Sequence, residues 1–268
     1  MQKTILITGS TDGIGLHAAE KFAALGHFVL LHGRNEQKLK SLLQDLRKKY
    51  PQTNIAGFCA DLSDLTQIEK LAAEITDKFS KIDILINNAG VYKTDKPKTA
   101  QGYDVRFIVN TVAPYLLSQK LLKTIPNGGR IINLSSAAQA PIDLNAFMNK
   151  IIFNDQMAAY AQTKLGILSW SIYLADKLKE KQITVIPVNP ASLLATKMVR
   201  EGFNTAGSDI NIGSDVLLKL ALEPEIANHS GEYFDNDAKK FSVVPPAASD
   251  PTNIAKLIKA LDSAGKGF

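Results

Sequence analysis

From residue 4 onward, short runs of aliphatic and β-branched residues alternate with longer stretches of helical periodicity, and this alternation leaves the chain few ways to fold. The runs are "TILIT" at 4–8, "FVLLHG" at 28–33, "NIAGFCA" at 54–60, "IDILINN" at 82–88, "GRIINLSS" at 129–136 and "ITVIPVNP" at 183–190. Between them the periodicity predicts helices near 14–25, 35–49, 64–79, 103–124 and 158–179. Parallel strands need a crossover long enough to carry a helix back over the sheet, and each gap supplies one. The runs are almost continuously apolar, as in strands covered on both faces. The predicted class is therefore α/β, with a doubly wound parallel β-sheet flanked by helices on both faces.

With 268 residues, 45% of them hydrophobic, the chain can bury one sizeable core, and no linker or repeat divides it. A single domain over 1–268 is expected. Gly26, "PNGG" at 126–129, Pro187 and Pro190 mark joints, and "VVPPAASDP" at 243–251 is a loop leading into a terminal packing helix, "TNIAKLIKAL". The net charge of +5 is scattered, and its longest cluster, "RKK" at 47–49, reads as a solvated helix end. That argues against a nucleic-acid partner and leaves room for an anionic ligand. The one cysteine, Cys59, excludes an internal disulfide framework, and its neighbours "IAGFC" make it a small buried strand residue. Histidines 17, 27, 32 and 229 follow no ligand spacing, so no metal is expected. No apolar run reaches the roughly 20 residues of a membrane helix, and "MQKTILITG" enters a strand at once. The expectation is a cytoplasmic protein with neither signal peptide nor membrane anchor.

In an open parallel sheet, ligands bind beyond the carboxyl ends of the strands, and the first strand-to-helix turn commonly takes a pyrophosphate. "TGSTDGIG" at 8–15 occupies that turn with the spacing G-x-x-x-G-x-G, although a glycine-rich turn by itself can be purely steric. Together with "NNAG" at 87–90 and Tyr160-Ala-Gln-Thr-Lys164, it makes the chain from residue 4 to about 196 resemble the classical short-chain dehydrogenase/reductase family. "GRN" after the second strand, the long connection between Ser136 and Tyr160, and "YAQTKL" are similar to its retinol-dehydrogenase-like branch.

The resemblance implies a Rossmann-type NAD(P)-binding domain. Cofactor-binding positions would be Gly9, Ser10, Thr11, Asp12, Gly13, Ile14 and Gly15 in the turn, then Arg34 and Asn35, Asp61 and Leu62 at the adenine, and Asn88, Ala89 and Gly90 along the ribose. Pro190, Ala191, Leu193 and Thr196 would face the nicotinamide side, with Tyr160 and Lys164 also touching the cofactor. Where an NAD site would carry an acid at the end of the second strand, this chain has Gly33 followed by Arg34. A guanidinium suits a 2′-phosphate, so NADP(H) is favoured over NAD(H), with Glu36 as the alternative ribose partner.

Tyr160 and Lys164, four apart on a helix, would supply the general acid or base, the ammonium lowering the phenol's pKa. The resemblance assigns charge stabilisation at the substrate oxygen to Ser136, with Ser135 as the alternative, and a proton relay to Asn110. The implied reaction moves a hydride between nicotinamide and a small-molecule carbonyl or alcohol substrate, and the competing reading is a catalytically silent NADP(H)-binding regulatory protein. Substrate-covering segments are expected near 137–157 and 197–215. In the first, Phe147, Met148, Ile151, Ile152, Phe153 and Met157 form either a pocket wall for a lipophilic substrate or ordinary packing. Ala191 stands where relatives carry glycine, a change that costs little if its φ is negative. The apolar faces near 103–124 and 158–179 leave open whether the chain is a homo-oligomer.

Overall fold

In the computed structural model, which describes residues 1–266, all six expected strands form: β1 (Thr4–Ile7), β2 (Phe28–Gly33), β3 (Ile55–Cys59), β4 (Ile84–Asn87), β5 (Arg130–Leu134) and β6 (Thr184–Asn189). Two further short strands follow, β7 (Tyr233–Asp235) and β8 (Lys240–Ser242). One eight-stranded sheet results, in the order β3-β2-β1-β4-β5-β6-β7-β8, parallel throughout except for the antiparallel β7/β8 pair. The chain winds outward from β1 to β3 and then returns to β4, so the crevice beyond the carboxyl ends of β1 and β4 is the topological switch point.

The helices are α1 (Gly13–Ala24), α2 (Glu36–Lys49), α3 (Leu65–Lys78), α4 (Val105–Phe107), α5 (Ala113–Leu121), α6 (Leu144–Met148), α7 (Gln156–Lys177), α8 (Lys197–Phe203), α9 (Asn211–Leu222), α10 (Pro246–Ser249) and α11 (Pro251–Lys266). Asp12, Asn35, Asp64 and Asp155 start α1, α2, α3 and α7 by accepting hydrogen bonds from first-turn N–H groups. Strand side chains alternate between two cores. Ile5, Ile7, Leu31, Ile86 and Ile132 pack under α1, α2 and α9, while Leu6, Leu30, Leu85, Ile131 and Val185 pack under α3, α5, α7 and α11.

The single helix expected near 103–124 is interrupted. Residues Ile108–Val112 form a π turn between α4 and α5, in which Ala113 N–H reaches Ile108 O. Pro114 has no N–H to close an ordinary bond onto the Asn110 carbonyl, and the turn widens there. Cys59 departs from expectation as well. It is exposed, because β3 is the edge strand and Cys59 is its last residue. Among the described residues, no helix is long and apolar enough to cross a membrane.

Candidate active site

The turn after β1 is built by close backbone approach. A Cβ on Gly15 would lie 2.4 Å from Asn88 Nδ2 and 2.7 Å from Gly9 O, so only glycine admits the Asn88 amide at that point. Asn88 Nδ2 donates to Thr8 O at 2.8 Å and Gly9 O at 3.1 Å, and Thr8 Oγ1 accepts from the N–H groups of Asn88 and Ala89. Thr8 thus joins the glycine turn to "NNAG", a role that glycine spacing did not expose. The first asparagine of that motif, Asn87, donates to Asn133 Oδ1 and Ser118 Oγ and ties β4 to β5 and α5.

Ser10 turns inward and is fully buried. Its N–H donates to His32 O and its hydroxyl accepts from His32 N–H, so both groups are spent inside the protein. The His32 ring is the second unforeseen fixture. Nδ1 accepts from Gly9 N–H and Nε2 donates to Ala60 O, each at 3.1 Å, which sets the tautomer because an amide can only donate and a carbonyl only accept. Burial pushes its pKa down to about 4, keeping the ring neutral.

Past β2, a Cβ on Gly33 would come within 2.4 Å of the Thr11 methyl, so this position takes no acidic side chain while Thr11 stays in place. Arg34 is exposed and makes no hydrogen bond or ion pair among the described residues. Asn35 Oδ1 accepts from Lys38 N–H. Asp12 receives Gly13 N–H at 2.8 Å and Lys38 Nζ at 2.9 Å, and the Lys38 bond holds its carboxyl below the usual range against the opposing effect of burial. Glu36 is directed to Lys40, 2.7 Å away. Asp61 Oδ1 accepts from Ser63 N–H and hydroxyl, whereas the Leu62 side chain is buried in the core and leaves only its backbone near the crevice. Ile14 likewise packs its side chain against the core.

Across the crevice, α7 carries Tyr160 and Lys164. Lys164 is buried, its Nζ donating to Leu134 O at 2.7 Å and lying 5.4 Å from the Tyr160 ring centroid. The expected lowering of the tyrosine pKa is corrected by the geometry. Burial pushes Tyr160 up to about 12, with the Ser136 side chain acting in the opposite direction, and burial pushes Lys164 down to about 8. Low-dielectric surroundings favour both neutral forms. The two serines ending β5 are distinct: Ser135 is buried and its hydroxyl donates to Lys164 O at 2.8 Å, while half-buried Ser136 presents its side chain to Tyr160.

Asn110, in the π turn, is fully engaged. Its Oδ1 accepts from Val91 N–H at 2.7 Å, and its Nδ2 donates to Val91 O at 2.9 Å and Thr163 Oγ1 at 3.0 Å. Thr163 in turn donates to Tyr160 O, linking the loop beyond β4 to the tyrosine's own backbone. A Cβ placed on Gly90 would stand 3.5 Å from Asn110 Oδ1 and 3.8 Å from Lys164 Nζ, so Gly90 adjoins this cluster.

The loop after β6 carries buried Pro190, then Ala191, exposed Leu193 and Thr196, of which Thr196 reaches the glycine turn. Thr196 caps α8, and its methyl lies 3.6 Å from where a Gly13 Cβ would be. Ala191 has φ 114, contrary to the favourable expectation of a negative angle, so alanine here is strained. Of the six apolar residues after Ser136, Phe147 and Phe153 stack on Phe107 and serve the core. Met148 and Ile151 are exposed, and the aromatic neighbours of Tyr160 come from elsewhere: Tyr92 meets it edge-on at 5.3 Å, and Phe203 of α8 stacks on Tyr92.

The sequence profile of the short chain dehydrogenase family matches residues 3–207. The chain is a short-chain dehydrogenase. Among curated relatives, this short-chain dehydrogenase is 29% identical to human retinol dehydrogenase 13 over 96% of its length and 82% of the relative's, and 31% identical to the mouse protein over 89% and 77%. It is also 29% identical to human polyprenol dehydrogenase, over 90% of this chain and 79% of that one. These place it in the retinol-dehydrogenase-like branch. An uncharacterized protein from Mycobacterium paratuberculosis shares its fold with a TM-score of 0.79 at 22% identity, covering 99% of this short-chain dehydrogenase and 94% of that chain. Landomycin C-6 ketoreductase, solved with bound NADP and rabelomycin, has a TM-score of 0.68 at 26% identity, covering 87% and 94%.

Proposed function

We propose that this short-chain dehydrogenase is an NADP(H)-dependent oxidoreductase that interconverts a lipophilic carbonyl compound and its alcohol. The observation carrying the reading is the convergence of Ser136, Tyr160 and Lys164 next to Gly90, in the segment whose Asn88 and Ala89 pack on the glycine turn at the switch point of the sheet. The residues suit a dinucleotide: the start of α1 offers N–H groups at the glycine turn, and Arg34 is an exposed cation with no partner of its own among the described residues. The Asp12 charge, which would oppose a phosphate, is answered by Lys38. In this assignment Arg34 would hold the 2′-phosphate, Asn35 and the Asp61 oxygen not bonded to Ser63 would lie toward the adenosine, and Asn88 through Gly90 would line the ribose side. Pro190 through Thr196 cover the nicotinamide side.

When bound, the cofactor supplies or accepts the hydride. In reduction the neutral Tyr160 phenol gives its proton to the substrate oxygen, and in oxidation the Tyr160 phenolate takes that proton back. Ser136 donates a hydrogen bond to the same oxygen as charge develops. Lys164, with its pKa lowered only to about 8, is mainly the ammonium at pH 7 and assists the phenolate that remains. Tyr92, backed by Phe203, gives the Tyr160 ring an aromatic flank, which fits a lipophilic substrate and agrees with relatives named for retinol and polyprenol.

Titration with NADPH and NADH by nicotinamide fluorescence tests the cofactor. NADPH should bind roughly tenfold or more tightly, and Arg34→Ala should erase the difference, since one charge-assisted phosphate contact is worth about that factor. Equal affinities in the unmutated protein would reject the phosphate role of Arg34. Tyr160→Phe should keep NADPH binding while its turnover of a ketone panel falls by about 10²- to 10⁴-fold. Undiminished turnover would remove Tyr160 from the chemistry.

A further inference from the structure

Part of the crevice is held by the β7/β8 hairpin, which lies beyond the residues that define the family. The Tyr233 hydroxyl donates to Ser136 O at 3.1 Å, so β7 steadies the end of β5. The turn of the hairpin grips the loop after β6 more extensively. Asn189 Nδ2 donates to Asp235 Oδ1 and Asp237 Oδ2, each at 2.9 Å, and Asn236 Nδ2 donates to Pro190 O at 3.0 Å. Ser192 donates twice to Asp237, through its N–H to Oδ1 at 2.8 Å and through its hydroxyl to Oδ2.

One carboxylate therefore binds the loop on both sides of Ala191. At φ 114 this alanine adopts a conformation open to glycine and disfavoured for any residue with a Cβ. Released from its anchors, an alanine peptide would relax to negative φ, which would re-aim Leu193 and Thr196. Burial acts to raise the Asp237 pKa, but hydrogen bonds from Ser192 and Asn189 overcome it and keep the carboxyl ionised, the form that accepts every one of these bonds.

We propose that Asp237 is a positioning residue of the active site: by bridging Asn189 and Ser192 it holds Ala191 in a glycine-like conformation and so sets the Pro190–Thr196 loop against the glycine turn. The consequence for cofactor binding rests on the function proposed above, whereas the consequence for the loop does not.

The experiment compares the unmutated protein with Asp237→Asn, Ala191→Gly, the double variant and Ser192→Ala. It reads NADPH affinity, amide hydrogen exchange over 190–196 without nucleotide, and the thermal midpoint. Asp237→Asn should speed exchange over 190–196 and weaken NADPH roughly tenfold, the worth of a charged hydrogen bond. Adding Ala191→Gly should recover most of that affinity, because glycine takes φ 114 without help; a general loss of packing would not be rescued this way. Ser192→Ala should move exchange and affinity in the same direction by less, and it answers the question if Asp237→Asn folds poorly. The proposal is overturned if exchange over 190–196 is unchanged in both Asp237→Asn and Ser192→Ala, or if the Asp237→Asn penalty is the same with and without Ala191→Gly. Should the unmutated protein bind neither nucleotide, the functional reading fails, and the exchange measurements still decide the role of Asp237.

Discussion

His32 shows how one side chain can hold two loops and report their state. Its ring receives Gly9 N–H from the glycine turn and donates to Ala60 O beyond β3, and only the neutral ring can do both. Its pKa falls from 6.5 in the unfolded chain to about 4 in the folded one. Between those values the unfolded state binds a proton that the folded state refuses, so this contribution is complete above about pH 6.5 and is lost as pH falls toward 4. The ceiling is about 3 kcal/mol, taking about 1.4 kcal/mol for each pKa unit. Urea denaturation at pH 7.5 and 4.5 should show the loss, and His32→Asn, which retains an acceptor but cannot titrate, should flatten it. An identical slope in the variant would assign the effect to other groups. The sequence places His32 at the end of an apolar run but says nothing of its partners, because Gly9 and Ala60 meet it only once β1, β2 and β3 are side by side. Tyr160 and Lys164 carry the same lesson. Their spacing predicts adjacency, which the helix supplies, while the direction of their pKa shifts depends on burial that spacing does not encode.

At the level of elements, the segment from Asp104 to Leu121 is where local pattern and observed structure diverge most. Helical periodicity marks its extent, but the π turn follows from Pro114 and places Asn110 between Val91 and Thr163. Just before it, Asp104 and Arg106 form a fully buried ion pair, the guanidinium donating through Nε at 2.8 Å and also reaching Phe153 O at 2.9 Å. The pair thereby ties the long connection between Ser136 and Tyr160 to α4. Asp104→Asn would leave a buried guanidinium without its counter-charge, a change that typically costs about 3–5 kcal/mol. Urea unfolding should show that loss, and limited proteolysis should cut faster between residues 148 and 155. A stability change under about 1 kcal/mol would mean that water replaces the carboxylate. Strands β7 and β8 also escape the pattern, since three residues each are too few to show a period.

Across the whole molecule, α11 closes one side of the fold. Leu257, Ile258, Leu261 and Ala264 are buried in the same core as Leu116, Trp170 and Leu174, and the Tyr115 hydroxyl donates to Asp262 at 2.8 Å. The apolar faces of α5 and α7 thus gain a cover from their own chain. Removing residues 251–268 should lower the thermal midpoint by several degrees or more and drive self-association, because three large buried side chains alone represent about 5–9 kcal/mol of burial. Sedimentation velocity beside the full chain would reveal it, and a truncated protein of unchanged midpoint that stays monodisperse would show that α11 does not stabilise the fold. Legible in one dimension were the α/β class, the succession of six strands, most of the helices between them and the motifs that name the family, because periodicity and glycine spacing are local properties of a chain. Left to three dimensions were the pKa values of Tyr160 and Lys164, the inward turn of Ser10, the strain at Ala191 and the grip of Asp237 upon it. Each of these depends on groups far apart in sequence that meet only when the sheet and its last hairpin are assembled.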